Sequence, residues 1–197
     1  MAGKVIAMYE IKREGSRFDV NNFPWDNGGA RPVTYAEIGY DEGGYKVRFV
    51  SEEKEQRAEV TEYNGPVHED SCMELFAAFS EGDQRYINIE VNPKGVAHCE
   101  VGSGRGDRLQ IDPADIMSLG ISANQGDDAW EVSYYISAEF IKKFLPTYKH
   151  GEGTVIRANF YKCGDKTGHE HYGCFNNIPW PHPDFHRPEF FAELKLS

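Results

Sequence analysis

Residues 86–92 read Tyr86-Ile87-Asn88-Ile89-Glu90-Val91-Asn92, an unbroken alternation of apolar and polar side chains. Side chains two apart on an extended chain point to the same side. Ile87, Ile89 and Val91 therefore form one face of a strand, and Tyr86, Asn88, Glu90 and Asn92 the other. The same period of two runs outward in both directions. Upstream, Met73, Leu75, Ala77 and Phe79 alternate with Cys72, Glu74 and Phe76, and Tyr45, Val47 and Phe49 with Lys46 and Arg48. Downstream, Trp130, Val132, Tyr134 and Ile136 alternate with Glu131, Ser133 and Tyr135. Ile156, Ala158 and Phe160 alternate with Arg157, Asn159 and Tyr161. Further strands are expected over residues 33–40, 57–61, 95–101 and 194–196. Asp41-Glu42-Gly43-Gly44 and Asn92-Pro93-Lys94-Gly95 read as short hairpin connections. One short helix is predicted after Ser137, which caps it; Phe140, Ile141 and Phe144 share a face, and Pro146 ends it. About nine strands with a single helix predict an all-β fold, an antiparallel β-sandwich of two packed sheets.

The 197 residues suit one domain, taken as 1–197, with no repeat or linker to divide it. Aromatic residues make up 13%, which argues against disorder. Lys and Arg number 21 against 32 Asp and Glu, a net charge of −11 that repels a phosphate backbone, so no nucleic-acid partner is expected. The longest apolar runs, such as residues 75–79, are far too short to span a membrane, and no membrane partner is expected. If residue 1 is the natural start, no signal peptide is present and the cytoplasm is the expected location; a trimmed natural N-terminus would instead point outside the cell. Cys72, Cys99, Cys163 and Cys174 are then expected as free thiols.

The polar strand faces point to sugar. Asn88 and Glu90 on one strand, and Arg157, Asn159 and Tyr161 on another, offer donors and acceptors in fixed rows that suit vicinal hydroxyls. An aromatic face would cover the apolar side of a sugar ring. Residues 176–188 supply candidates in Trp180 and Phe185, with His182 and His186. This Pro-rich tail is expected as an ordered loop along one edge of the sandwich. Two other chemistries fit the residue types. Asp70, Glu74, Glu90 and Asp184 could supply a glycosidase pair, which needs two carboxyls across a cleft. Cys163, His169, His171 and Cys174 have zinc-binding side chains at a non-standard spacing. No nucleophile elbow is present, and the glycines at 102, 104 and 106 precede no helix pattern that would cradle phosphate.

Gly65-Pro66-Val67-His68-Glu69-Asp70-Ser71-Cys72-Met73-Glu74-Leu75-Phe76 resembles the Asp-Ser-x-x-Glu-x-Phe signature of the family 9 carbohydrate-binding modules and their stand-alone relatives. Residues 86–95, 157–162 and 183–191 resemble the strands and C-terminal loop that follow in that family. The resemblance implies a distorted β-sandwich and non-catalytic binding of a saccharide end of glucose or xylose type. Two tryptophans sandwich the sugar in well-studied members; here those positions fall at Val67 or His68 and at Phe185. The implied site combines Phe185 and Trp180 as ring faces with Glu74, Asn88, Glu90, Arg157, His68 and His186 as polar partners. No cofactor is implied with certainty; family members often bind a structural calcium ion, and, apart from the resemblance, the acidic stretches Asp127-Asp128 and Glu81-x-Asp83 are nominal candidates to hold one. The alternatives are a metal- or carboxylate-dependent hydrolase, and an interaction protein whose sugar site has decayed.

Overall fold

The alternation predicted for residues 86–92 is the strand β6 (Tyr86–Val91) of a large sheet. The computed structural model describes residues 8–25, 28–29 and 31–197. Chain order around β6 begins with β1 (Met8–Ile11), β2 (Ser16–Asp19), β3 (Val33–Tyr40), β4 (Gly44–Glu52) and β5 (Cys72–Ala78). It continues with β7 (Ala97–Gly102), β8 (Leu109–Gln110), helix α1 (Pro113–Met117), β9 (Ser122–Gln125) and β10 (Trp130–Ser137). Helix α2 (Ala138–Phe144), β11 (Val155–Cys163), β12 (Tyr172–Cys174) and β13 (Ala192–Leu196) complete it. The larger sheet runs β1-β13-β11-β5-β6-β7-β8, with β12 beside the end of β11; the smaller runs β2-β3-β4-β10-β9. Pairing is antiparallel except between β1 and β13, which are parallel.

The core lies between the sheets. Val47, Phe49, Val132 and Ile136 from the smaller sheet meet Met73, Leu75, Ile87, Ile89 and Phe160 from the larger. Ser137 caps α2 as expected, its side chain accepting from the Phe140 amide. Helix α1 is additional: Asp112 caps it and Pro113 occupies its first turn. Both hairpins form where turn chemistry required. Asp41 closes the β3–β4 turn, and the Asn92 side chain takes the Lys94 and Val96 amides while Gly95 adopts a positive φ.

Residues 57–61 form no strand. Their backbone donors go to side chains rather than to a neighbouring strand: the Ser71 hydroxyl takes the Arg57 amide, and the Asp70 carboxylate takes those of Glu59 and Val60. The tail also departs from expectation. Residues 176–191 lie across the outer face of the larger sheet, not along its edge. Phe185, Phe191 and Ile178 pack there with Phe76, Tyr86 and Tyr161 in a second apolar cluster. Strands β5 and β6 are therefore buried on both faces.

Two polar hubs hold this arrangement. Fully buried Asp70 also accepts from Asn92 Nδ2 at 3.0 Å and faces Arg57 Nε at 3.4 Å. Glu53, just beyond β4, bridges the sheets: Trp130 Nε1, Ser71 Oγ and the buried Lys162 ammonium all reach its carboxylate. Lys162 also lies 2.8 Å from His171 Nε2, and burial beside that cation pushes His171 down to about 4.

Replacing Asp70 by Ala strands two backbone amides and an amide side chain, so a loss of about 3 kcal/mol is expected, read as a lower urea midpoint at unchanged slope. A change within about 0.5 kcal/mol would contradict the role. His171 stays neutral in the fold while its unfolded counterpart titrates near 6.5. The unfolded chain thus binds the extra proton, and this contribution to stability is whole above that value and lost as pH falls toward about 4. The ring proton resonances of His171 should stay fixed between about pH 7 and pH 5; a midpoint near the ordinary histidine value would contradict it.

Candidate functional site

The outer face of the larger sheet is ordered in rows by its register. Tyr161, Glu74, Glu90 and His98 stand side by side on β11, β5, β6 and β7. Asn159, Phe76, Asn88 and Glu100 form the next row. The alternation that turns Leu75 and Ile89 into the core turns these residues outward, beneath the tail. Between sheet and tail lies a pocket of about 300 Å³, with Glu74, Phe76, Glu90, His98 and Glu100 as its floor. Its walls come from His68, Arg105 and Asp165 in connecting segments, from Tyr172 at the start of β12, and from Pro183, Asp184, Phe185 and His186 in the tail.

The tail is fastened over this floor. Asn159 takes the Asn176 amide and donates to its carbonyl, at 2.8 and 2.9 Å. Tyr161 donates to the Phe185 carbonyl, and the Tyr86 hydroxyl lies 2.8 Å from His186 Nδ1. Asp184 receives Arg105 at 2.7 Å and Arg187 at 2.8 Å. Burial, with Arg105 and Arg108 near, pushes His186 down to about 3, so its ring is neutral.

The floor is acidic. Glu74 is only 2% exposed, and no hydrogen-bond partner reaches its carboxyl among the described residues. Burial first, then the charge of Glu90, pushes it well above the usual carboxylate range. Glu90 is raised by burial as well and accepts from Asn88 Nδ2 at 2.9 Å. Burying a carboxylate without a protein donor is costly, and the pocket-facing carboxyl of Glu74 can accept donors or positive charge from a ligand.

Of the residues expected in the site, the fold gathers His68, Glu74, Glu90, Phe185 and His186 around one pocket. It does not bring the other three there. Asn88 is fully buried behind the floor, clamped between Glu90 and the Arg108 guanidinium. Arg157 lines a different groove of about 720 Å³, beside Thr147 and Lys149, which holds no buried acid. Trp180 is absent from the pocket lining, and its ring is covered by the Arg187 guanidinium at 3.4 Å. Phe185 also departs from the role expected of it. One face stacks on Tyr161 at 4.2 Å, Trp25 leans on it at 5.9 Å, and it is 8% exposed. It forms a wall rather than an open platform.

His98 and Glu100 were legible but unread: Ala97, Cys99 and Val101 alternate into the core and leave them on the same face as Glu90. Arg105 and Asp165 arrive from loops and Tyr172 from the short strand β12, and no local pattern marks them. Asp70 serves the fold, as described, and is no member of a carboxyl pair. The Cys163, His169, His171 and Cys174 set does not converge. His171 turns to Lys162 and the His169 carbonyl, Cys163 Sγ lies 3.1 Å from Asp165, and Cys174 pairs in register with Tyr161. Among the described residues no three His, Cys, Asp or Glu side chains are placed to hold a metal ion. Of the acids named for calcium, Asp83 pairs with Arg85 at 2.7 Å, and Asp128 lies 3.7 Å from Lys54.

The same architecture recurs in solved structures. A Bacteroides uniformis protein assigned to carbohydrate binding superposes with a TM-score of 0.86 at 22% identity, covering 98% of this chain and 100% of its own. A family 9 carbohydrate-binding module of Caldicellulosiruptor kristjanssonii, solved with cellotriose, gives 0.64 at 11% identity over 97% and 94% of the two chains. Its structure with glucose gives 0.62 at 12% identity over 97% and 96%. Comparison with curated proteins yields no sequence match. Among the described residues no helix is long and apolar enough to cross a membrane. With the family model matched from residue 7 to residue 196, the chain belongs to carbohydrate-binding family 9.

Proposed function

We propose that the chain binds the end of a glucose- or xylose-type saccharide, without cleaving it, in the pocket between the larger sheet and the tail. One observation carries this reading: a buried carboxyl, Glu74, lines that pocket and has no hydrogen-bond donor among the described residues. Sugar hydroxyls are donors of the right kind, and Glu90, His98 and Glu100 lie in the same or the next row to engage their neighbours. The volume is at the small end of ligand pockets, about 300–1,000 Å³, and suits a chain end rather than a long chain. Family membership supports the same chemistry, as do the cellotriose and glucose held by the Caldicellulosiruptor modules.

The carboxyl arrangement supports binding over hydrolysis. A glycosidase sets its two carboxyls on either side of the scissile bond. Glu74 and Glu90 are direct neighbours on adjacent strands and rise from the same sheet face. Both would meet a sugar from one side, as a pair suited to holding hydroxyls rather than as two carboxyls set across a scissile bond.

Calorimetric titration with glucose, xylose and cello-oligosaccharides tests the reading. Replacing Glu74 by Gln removes a charge-assisted contact worth about 1.5–3 kcal/mol, so affinity should fall about ten- to a hundredfold. Melting temperature should hold or rise, since the carboxyl has no partner to lose. Arg157→Ala should leave affinity unchanged. Equal binding by the Glu74 variant, or loss of binding in the Arg157 variant, would move the site elsewhere.

A further inference from the structure

We propose that the preferred ligand of this pocket is an amino sugar of hexosamine type, whose protonated amine sits among Glu74, Glu90 and Asp165. The inference rests on the sugar-binding reading above and names the sugar's chemistry. Its first support is how charge is distributed within the pocket. Arg105, the pocket's arginine, is engaged by Asp184 at 2.7 Å, and Asp184 also takes Arg187. Glu100 faces Arg108 Nε at 3.6 Å and His98 Nε2 at 3.4 Å. Three acids remain. Among the described residues no Lys, Arg or His side-chain nitrogen comes within 4.0 Å of the carboxylate oxygens of Glu74, Glu90 or Asp165.

The second support is independent of charge counting. Glu74 is buried and lacks any hydrogen bond, while Glu90 has one from Asn88 and Asp165 one from the weak Cys163 thiol donor. A neutral hydroxyl would satisfy a lone pair of Glu74 but leave the cluster's charge uncompensated. An ammonium brings three donors and the missing positive charge together, in a setting where charge-assisted bonds are strongest. A shared metal ion is not the answer that the geometry offers, because these side chains are not placed to ligate one. A uronic acid would add a further negative charge.

The carboxyl pair provides a distinct signature. Facing it are Tyr161 from β11, His98 from β7, and His68 and Asp165 from loops, with Lys162 and Arg105 acting on Glu74 from further off. Burial pushes both carboxyls up; the charge of Glu90 raises Glu74 further, while His98 and His68 oppose the rise at Glu90, so a proton on the pair is favoured before ligand arrives. An arriving ammonium takes over the compensating role. The carboxyl O–H ionises, and its proton passes to the buffer as the ligand cation enters.

The test is calorimetry on the full chain near pH 6, in two buffers of different ionisation heat. The ligands are glucosamine, glucose, N-acetylglucosamine, glucuronate and ethylamine. Glucosamine is expected to bind about tenfold or more tightly than glucose, a difference of about 1.4 kcal/mol. It should release a proton to the buffer, whereas N-acetylglucosamine, its amine blocked, should lose the advantage. Glucuronate should bind weakest. In the Glu74→Gln, Glu90→Gln double variant the preference for glucosamine over glucose should vanish. Equal binding of glucose and glucosamine would overturn the amine assignment and leave the sugar-binding reading standing. Binding of ethylamine as tightly as glucosamine would overturn the sugar part of it. Failure of every saccharide to bind would overturn the sugar-binding reading itself.

Discussion

The structure depends on burying both faces of two neighbouring strands. On β5 and β6 the inward residues, Met73, Leu75, Ile87 and Ile89, belong to the core between the sheets. Their alternation forces Glu74 and Glu90 onto the opposite face, and the tail then covers that face. Two neighbouring acids beneath a covered face cost stability unless something compensates them. The surrounding apolar contacts outweigh that cost without removing it. The strain concentrates at one place, which is the feature expected of a binding site rather than of a core.

The tail is held by hydrogen bonds and rings that leave little aromatic surface free. Asn159 fixes residue 176, Tyr161 fixes residue 185, and Tyr86 meets His186. Phe76, Tyr86, Tyr161 and Phe185 pack on one another or on His186. The surface that this pocket offers a ligand is therefore mainly polar. Phe185 shapes the wall, and the acids line the floor. Because the same residues close the roof and bound the pocket, pocket geometry is tied to the integrity of the fold.

Much of the scaffold was legible because alternation is a local property. The period of two at residues 72–78, 86–91, 130–137 and 155–163 located the central strands, and Ser137 located its helix. Residues 57–61 misled because their extended backbone is satisfied by Asp70 and Ser71, a tertiary arrangement that no local pattern reveals. The site was partly legible for the same reason. Glu74 and Glu90 lie within alternating strands, whereas Arg105 and Asp165 come from loops whose placement only the folded chain defines. Trp180 and Arg157 looked suitable by residue type, but an Arg187 stack and a position at another groove remove them. Residue type identified sugar chemistry; register decided which residues share it.

The central claim is that the acidic floor beneath the tail is the ligand site. Amide and side-chain NMR of isotope-labelled protein titrated with a saccharide tests it most directly. The account predicts saturable shifts centred on Glu74, Glu90, His98 and residues 183–186, with the groove around Arg157 and the outer face of the smaller sheet unmoved. Shifts centred on Arg157, Thr147 and Lys149, or on Arg48 and Tyr135, would contradict it.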